Sequence, residues 1–262
     1  MITLSSEQLN FWIASFIWPL ARILGMFALA PIFGNKAVPR TMKIALGAIL
    51  ALVVAPTLPP MPRFDPISMQ GVLIIAQQVL IGVAIGFTMR LIFAGIELAG
   101  ELIGLTMGLG FASFYDPMTQ GRSSSISQLL SFLAMMAFLA ANFHLALISA
   151  IFESFHYMPI GGTAAGVSSS TQIFMWGGYI FSTALKLSLP ILGALLATNA
   201  ALGILTKAAP QLNIFGIGFP ITISIGLLVT GLMLPYLASP IIHNFDLGLQ
   251  NIARITSTMP QH

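Results

Sequence analysis

The sequence predicts an all-α membrane protein, and two observations carry that prediction. Hydrophobic residues make up 57% of the 262-residue chain and charged residues only 6%, whereas an ordinary soluble domain has roughly 25% charged residues. The hydrophobic residues also form long continuous runs, not the alternating pattern of a membrane β-barrel. So few charges cannot cover a soluble surface, so we expect the helices to face lipid or other membrane proteins.

Six apolar stretches are long enough, or nearly so, to cross the hydrocarbon core, which takes about 20 residues. They are Phe11–Phe33, Met42–Leu58, Ile67–Met89, Ile126–Phe152, Ile173–Thr198 and Ile214–Leu237. The first is longer than the apolar part of a secretion signal and no basic residue precedes it, so we expect it to be retained. Lys36, Arg40 and Lys43 follow it, and this excess of positive charge predicts that their loop is cytoplasmic and that both chain ends lie outside.

Prolines punctuate these stretches. Pro190, Pro220 and Pro235 lie within apolar runs, where proline costs a soluble helix roughly 3 kcal/mol. Membrane helices tolerate such breaks when neighbouring protein satisfies the freed carbonyls. We therefore expect broken helices that pack as hairpins against partner proteins. Pro210 is expected to end a helix.

Ionisable side chains inside the apolar runs are the strongest polar signal. On a helix, Arg90, Glu97 and Glu101 fall within roughly 40° of one another. Charges at membrane depth cost several kcal/mol unless they are paired or hydrated, so this face should meet protein or water. Ion pairing between helices or subunits is the favoured interpretation, and a proton or ion relay is the alternative. Lys186, also within an apolar run, predicts a partner carboxylate.

Small residues follow this charged face. Gly100, Gly104 and Gly108 recur every four residues, which predicts that another helix approaches closely here. From Met107 to Met118 the chain then combines glycines, aromatic residues and an Asp-Pro pair, which no regular helix accommodates. Apolar side chains on such a segment could close a cavity by excluding water. An ordinary buried re-entrant turn is the other interpretation, and the residues alone leave both open.

Chemical motifs do not point to an enzyme. The sequence has no phosphate-binding loop, no His-Glu-x-x-His and no Gly-x-Ser-x-Gly. It has no cysteine, and its histidines and carboxylates are scattered without metal-ligand spacing. We therefore expect no catalytic site, cofactor or metal. The ten Lys and Arg residues are spread along the chain, so no nucleic-acid partner is expected either.

Three stretches resemble the FliR family of the bacterial flagellar type III export apparatus. The first is Gly110-Phe-Ala-Ser-Phe-Tyr-Asp-Pro117, and the second runs from Asn142-Phe-His-Leu to Ser154-Phe-His-Tyr-Met-Pro-Ile-Gly161. The third and most specific is Ala200-Ala-Leu-Gly-Ile-Leu-Thr-Lys-Ala-Ala-Pro-Gln-Leu-Asn213. Length and order match over essentially the whole chain. Lys207 stands where the family often has Arg, and lysine cannot form the same bidentate pairs.

The resemblance implies a subunit of a protein export gate. FliR-like proteins assemble with several copies of FliP and FliQ into a pseudo-helical cone, a hetero-oligomer that also works with FlhB and FlhA. Unfolded flagellar proteins would pass through it. The expected location is the bacterial inner membrane at the flagellar basal body, in contact with lipid and partly projecting to the periplasmic side. One FliR-like domain would comprise a FliP-like part, about 1–160, and a FliQ-like hairpin part, about 161–262.

The resemblance also implies roles for individual residues. Residues 107–122, here called the plug segment, would close the pore when no substrate is present. The expected plug residues are Met107, Gly108, Gly110, Phe111, Phe114, Tyr115, Asp116, Pro117 and Met118. The expected inter-subunit contacts are Arg90, Glu97, Glu101, Lys186 and Lys207. A plug distinguishes a gate from a purely structural membrane anchor. The other alternative, a secondary transporter of small molecules, would need an inverted repeat and convergent polar groups that the sequence lacks.

Overall fold

The described residues of the chain are almost entirely helical. The structure is a computed structural model, and it describes residues 6–35, 37–59, 62, 64–109, 124–162, 175–209 and 218–257. Among these residues there is no β-strand. The all-α prediction is therefore confirmed.

Seven long α-helices run through the described residues. They are α1 (Ser6–Leu29), α2 (Arg40–Val54), α3 (Met69–Thr106), α4 (Ser125–Ala140), α5 (Phe143–Tyr157), α6 (Tyr179–Ala208) and α7 (Phe219–Ser257). A short 3₁₀ turn, Ala55–Thr57, extends α2. Five of the helices are long and apolar enough to cross a membrane, and a sixth span results if the bent pair of α4 and α5 is counted as one. Each predicted stretch thus corresponds to a helix or helix pair.

Two helices continue far beyond their predicted apolar stretches. The third helix continues past Met89 through Arg90 and Glu97 to Thr106, 38 residues in all. The last helix continues past Leu237 to Ser257. Both extensions are more polar than the apolar runs before them, so a search for continuous hydrophobicity ends too early.

Two of the predicted proline breaks are wrong. Helix α6 continues through Pro190, and α7 continues through Pro235. A helix that continues through proline loses one hydrogen bond, because proline has no backbone N–H to donate. Neighbouring groups within a membrane protein can compensate for that loss. Pro220 is the second residue of α7, where its missing N–H costs nothing. The sharp break falls instead at Asn142, between α4 and α5, where φ is 60°.

The chain forms two compact units, each assembled from separated pieces of sequence. The first unit comprises Met1–Leu91, Asn142–Gly177 and Asp246–His262, and the second comprises Ile92–Ala141 and Gly178–Phe245. The first unit thus contains α1, α2 and α5, and the second contains α4 and α6. The FliP-like and FliQ-like parts, which divide the chain near residue 160, stay a prediction.

An apolar cluster fills one part of the first unit. Trp18 and Phe155 are fully buried in it and pack with Val54, Ile74 and Ile160. The second unit has an aromatic centre instead, in which three phenylalanine rings contact one another. Phe93 lies 5.6 Å from Phe138 and 5.2 Å from Phe245, and Phe138 lies 5.1 Å from Phe245. The edge-to-face geometry of two of these pairs is the arrangement that the ring quadrupoles favour.

Candidate functional site

The structure describes the first residues of the plug segment and, after it, the chain again from Ser124. Met107 and Gly108 lie within the described residues. The other predicted plug residues lie outside them, namely Gly110, Phe111, Phe114, Tyr115, Asp116, Pro117 and Met118. The site can therefore be built from the residues that lead into the segment and those that follow it, all in the second unit.

Met107 fixes the first end on α7. Its side chain is fully buried, and its backbone oxygen accepts a hydrogen bond of 3.2 Å from the Thr222 hydroxyl. A side chain at Gly226 would place its Cβ 2.5 Å from the Met107 methyl carbon. Only glycine leaves room for the thioether there, so the end of α3 is held against α7 by both shape and a hydrogen bond.

Gly108 then turns the chain out of the helix. Its φ is 86°, in the left-handed region that glycine adopts at no steric cost. Its N–H donates to the Leu105 carbonyl at 3.0 Å, and the Phe219 ring covers the space where a side chain would project. This is the common way in which a helix ends on glycine.

A carboxylate of α3 binds Ser124, two residues after the plug segment. The N–H of Ser124 donates to Glu101 Oε1 at 2.8 Å, and the Ser124 hydroxyl donates to the Gly100 carbonyl at 3.2 Å. The same hydroxyl oxygen accepts from the Ser127 N–H at 3.1 Å and so caps α4. One serine therefore starts α4 and ties its first turn to α3.

The predicted close approach at Gly100 and Gly104 is confirmed. A Cβ on Gly100 would collide with the backbone of Ser127, and one on Gly104 would lie 2.7 Å from the Ser124 hydroxyl oxygen. The Ser127 hydroxyl donates to the Glu97 carbonyl at 2.8 Å. Glycine on α3 and serine on α4 thus bring the two helix backbones together. The chain is thus tied to the last two turns or so of α3 at Ser124, two residues after the plug segment, which itself begins where α3 ends.

The five predicted inter-subunit residues occupy different environments. Arg90, Lys186 and Lys207 are exposed, and Glu97 and Glu101 are half-buried. One oxygen of Glu101 is used within the chain, as described above. Contacts with another subunit stay a prediction for all five. Among the described residues, no group of three or more His, Asp or Glu side chains is placed to hold a metal ion.

A buried arginine that the sequence analysis did not single out organises the first unit. Arg22 on α1 is fully buried. It donates from Nε to Gln78 Oε1 at 2.7 Å, from one terminal nitrogen to Ser154 Oγ at 3.0 Å and from the other to the Met158 carbonyl at 2.7 Å. Its guanidinium carbon lies 4.1 Å from the centre of the Phe155 ring. Arg22 thereby joins α1, α3 and the end of α5.

A signal for this residue was present. Arg22 is the only charged residue in the stretch Phe11–Phe33. A lone charge in an apolar run faces the protein interior by default, so the sequence alone indicates a buried polar site at this position. Its partners could not have been named, since they lie 56 to 136 residues away along the chain.

Comparison with known proteins identifies the family. The family model for bacterial export proteins, family 1, matches residues 13–248. The chain belongs to this family.

Its relatives include curated members named flagellar biosynthetic protein FliR. The protein of this name from Pectobacterium carotovorum is 43% identical over 236 residues, which is 90% of each chain. That from Escherichia coli K12 is 38% identical over 262 residues, 99% of each chain. That from Bacillus subtilis is 27% identical over 82% of this chain and 84% of its own. The predicted FliR family is therefore confirmed.

Proposed function

We propose that this chain is a core subunit of the flagellar type III protein export gate. With FliP and FliQ it forms the channel through which unfolded flagellar proteins leave the cell, in the inner membrane at the flagellar basal body. The observation that carries the proposal is the similarity to FliR proteins over 90–99% of the chain. The gate is a binding and conducting assembly, so the chain needs no catalytic site or cofactor of its own.

In this proposal the plug segment closes the pore while no substrate is present. The geometry of the residues at its start and just after it supports the assignment. Met107 is locked on α7 by Thr222 and Gly226, and Ser124 is bonded to Glu101. A segment between two such fixed points would return to one place after each opening, as a seal must. The apolar side chains Phe111, Phe114, Tyr115 and Met118 would exclude water and ions.

The exposed charges supply contacts to the partner subunits. Lys186 is exposed on α6 between the exposed residues Leu185 and Leu189. A cation on an apolar surface needs an anionic partner within a membrane, and a carboxylate of FliP or FliQ provides one. Lys207 would serve similarly, and Arg90, Glu97 and Glu101 are the other proposed contacts. FlhB and FlhA complete the set of proposed partners.

Co-expression tests the assembly. The tagged chain, expressed with FliP and FliQ and purified in mild detergent, should give one discrete complex containing a single copy of this chain by native mass spectrometry. Charge reversal extends the test, since Lys186→Glu should weaken assembly and a matching acid-to-lysine change in a partner should restore it. A chain that stays alone or self-associates beside those partners would overturn the proposal.

Deletion of Phe111–Met118 tests the plug. Cells that carry the deletion should become permeable to small ions through the assembled complex, measured as loss of membrane potential. The matched control removes eight residues elsewhere in the chain, Thr163–Ser170, and should leave the membrane impermeable to ions. Equal leak from both deletions, or from neither while the complex assembles, would contradict a plug at this segment.

A further inference from the structure

The buried guanidinium of Arg22 has hydrogen-bond partners but no counter-charge. Its three bonds go to the Gln78 amide oxygen, the Ser154 hydroxyl and the Met158 carbonyl, all of them neutral acceptors. Within the described part of the chain, no carboxylate bonds to it. A guanidinium also carries more N–H groups than these three bonds use. Arg22 is therefore a fully buried cation with unused donors.

The amide of Gln78 adds further donors beside Arg22. Arginine only donates hydrogen bonds, so the Gln78 oxygen must be the atom that faces Arg22 Nε, at 2.7 Å. The amide nitrogen is thereby left for another partner. Gln78 is fully buried, and among the described residues nothing accepts a hydrogen bond from its Nε2. A buried amide nitrogen in this state indicates an acceptor that is not part of the chain, such as water or an ion.

Trp18 contributes an indole N–H on the same side of α1. It precedes Arg22 by about one helical turn, so the two side chains share a face of the helix. Trp18 packs in the apolar cluster with Phe155, and the Arg22 guanidinium carbon lies 4.1 Å from the centre of that ring. Trp18 is fully buried, and its Nε1 has no hydrogen-bond partner in the part of the chain that the structure describes. An indole N–H can only donate.

The charge of Arg22 decides which acceptor suits these donors. Arginine stays protonated even when buried, and an uncompensated buried charge is strongly destabilising. The face of the Phe155 ring offsets only a part of that charge. Water would accept the N–H groups but leave the charge uncompensated. A carboxylate of another subunit would have to pass through this chain's own packing, since Arg22 is fully buried by it.

We propose that Arg22, Gln78 and Trp18 bind a small anion such as chloride inside the first unit. The unused N–H groups of the guanidinium, the amide and the indole donate to it, and its charge compensates that of Arg22. The ion joins α1, which carries Trp18 and Arg22, to α3, which carries Gln78. It is a structural ion, because the chain itself encloses all three residues. This inference does not rest on the export function.

The dependence of stability on chloride tests the site. The full chain in non-ionic detergent is unfolded with urea while chloride replaces gluconate at constant ionic strength, so that screening stays the same. A ligand that binds only the folded chain lowers the apparent unfolding constant. Once the site is nearly filled, each tenfold rise in chloride should lower that constant about tenfold. An unfolding constant that is the same in chloride and in gluconate would overturn the proposal.

A matched pair of variants locates the chloride effect. Gln78→Glu keeps nearly the same shape and gives Arg22 a carboxylate within the chain, so the stability of this variant should not depend on chloride. The control is Gln77→Glu, the same change at a half-buried neighbour that donates to the Gly162 carbonyl, and it should keep the full dependence. If both variants respond to chloride like the unchanged chain, the ion binds elsewhere and the proposal is wrong.

Trp18→Phe tests the third donor. The change keeps an aromatic ring in the apolar cluster and removes the indole N–H. One neutral hydrogen bond is worth about 1 kcal/mol, so the variant should need about fivefold more chloride to reach the same gain in stability. An unchanged chloride requirement would contradict the role of Trp18 in the site.

Discussion

Different contacts stabilise the interior of each of the two units. In the first unit a buried cation, Arg22, joins three helices through three hydrogen bonds and the face of Phe155. In the second unit, two helix backbones come close together because glycine has no side chain, with Gly100 on α3 against Ser127 on α4. Backbones also approach closely in the first unit, since a Cβ on Gly82 would collide with the Arg22 carbonyl. What distinguishes the first unit is the buried cation that accompanies this close packing.

Both means of stabilisation suit a lipid environment. Lipid is as apolar as a leucine side chain, so burying apolar surface within a membrane gains little. What remains is hydrogen bonding in surroundings with few competitors and the tight packing that small residues permit. Both contributions occur in each unit, and substitutions at Arg22 and at Gly100 should show which contributes more.

Arg22→Met should have the largest effect. It removes three hydrogen bonds and leaves the Met158 carbonyl without this donor, and bonds to charged groups are each worth roughly 1.5–3 kcal/mol. We expect the free energy of unfolding of the full chain in detergent to fall by about 3 kcal/mol or more. Lys207→Met, at an exposed site, should change it by less than about 0.5 kcal/mol. A loss below about 1 kcal/mol at Arg22 would mean that the polar centre is dispensable.

Gly100→Ala should be next. The added methyl group collides with the Ser127 backbone, which cannot move as a flexible side chain would, and overpacking typically costs 1–3 kcal/mol. The matched control is Gly193→Ala on α6, where nothing lies within 4 Å. That change should stabilise the helix by about 0.5–1 kcal/mol. Thermal unfolding should therefore shift in opposite directions, and a shift in the same direction would contradict the close-packing account.

Ser124→Ala should cost about 1 kcal/mol, the usual value of a helix N-cap. It also removes the bond to the Gly100 carbonyl. Its neighbour Ser125 is exposed, so Ser125→Ala should be neutral. Hydrogen exchange at the first turn of α4 would report the change locally, and equal exchange in both variants would refute the role of the cap.

Thr222→Val should have the smallest effect, a loss of about 0.5 kcal/mol, because it removes one hydrogen bond from the Met107 carbonyl. The control is Thr230→Val on the same helix. Within the described part of the chain, the buried Thr230 hydroxyl has no hydrogen-bond partner, so its removal should be neutral or stabilising. Urea unfolding of both variants checks the sign, and a greater loss at Thr230 would be evidence against the Met107 anchor.

Much of this architecture could be predicted from the sequence. Composition and continuous apolar runs indicate membrane helices, since both are averages over many residues. The close approach at Gly100 and Gly104 was also predictable, because a four-residue spacing places both on one helix face. Their partners on α4 were not, since nothing in the sequence says which helix arrives there.

Local exceptions could not be predicted. The chain breaks at Asn142 rather than at Pro190 or Pro235, since asparagine tolerates the left-handed conformation without requiring it. Whether it adopts that conformation depends on packing around it. The four partners of Arg22 likewise come from distant parts of the chain, and only the folded structure brings them together.

Helix α3 is longer than the hydrocarbon core of a membrane is thick. Its 38 residues correspond to about 57 Å along the helix axis, nearly twice the thickness of the hydrocarbon core. Even when tilted by about 40° from the membrane normal, the upper end of the usual range, the helix would extend about 44 Å along that normal. In a helix that crosses the membrane, at least a quarter of this length therefore lies outside the hydrocarbon core and contacts water, headgroups or another protein. A membrane protein with such a helix therefore extends beyond the hydrocarbon core, even though its composition is that of a chain buried in lipid.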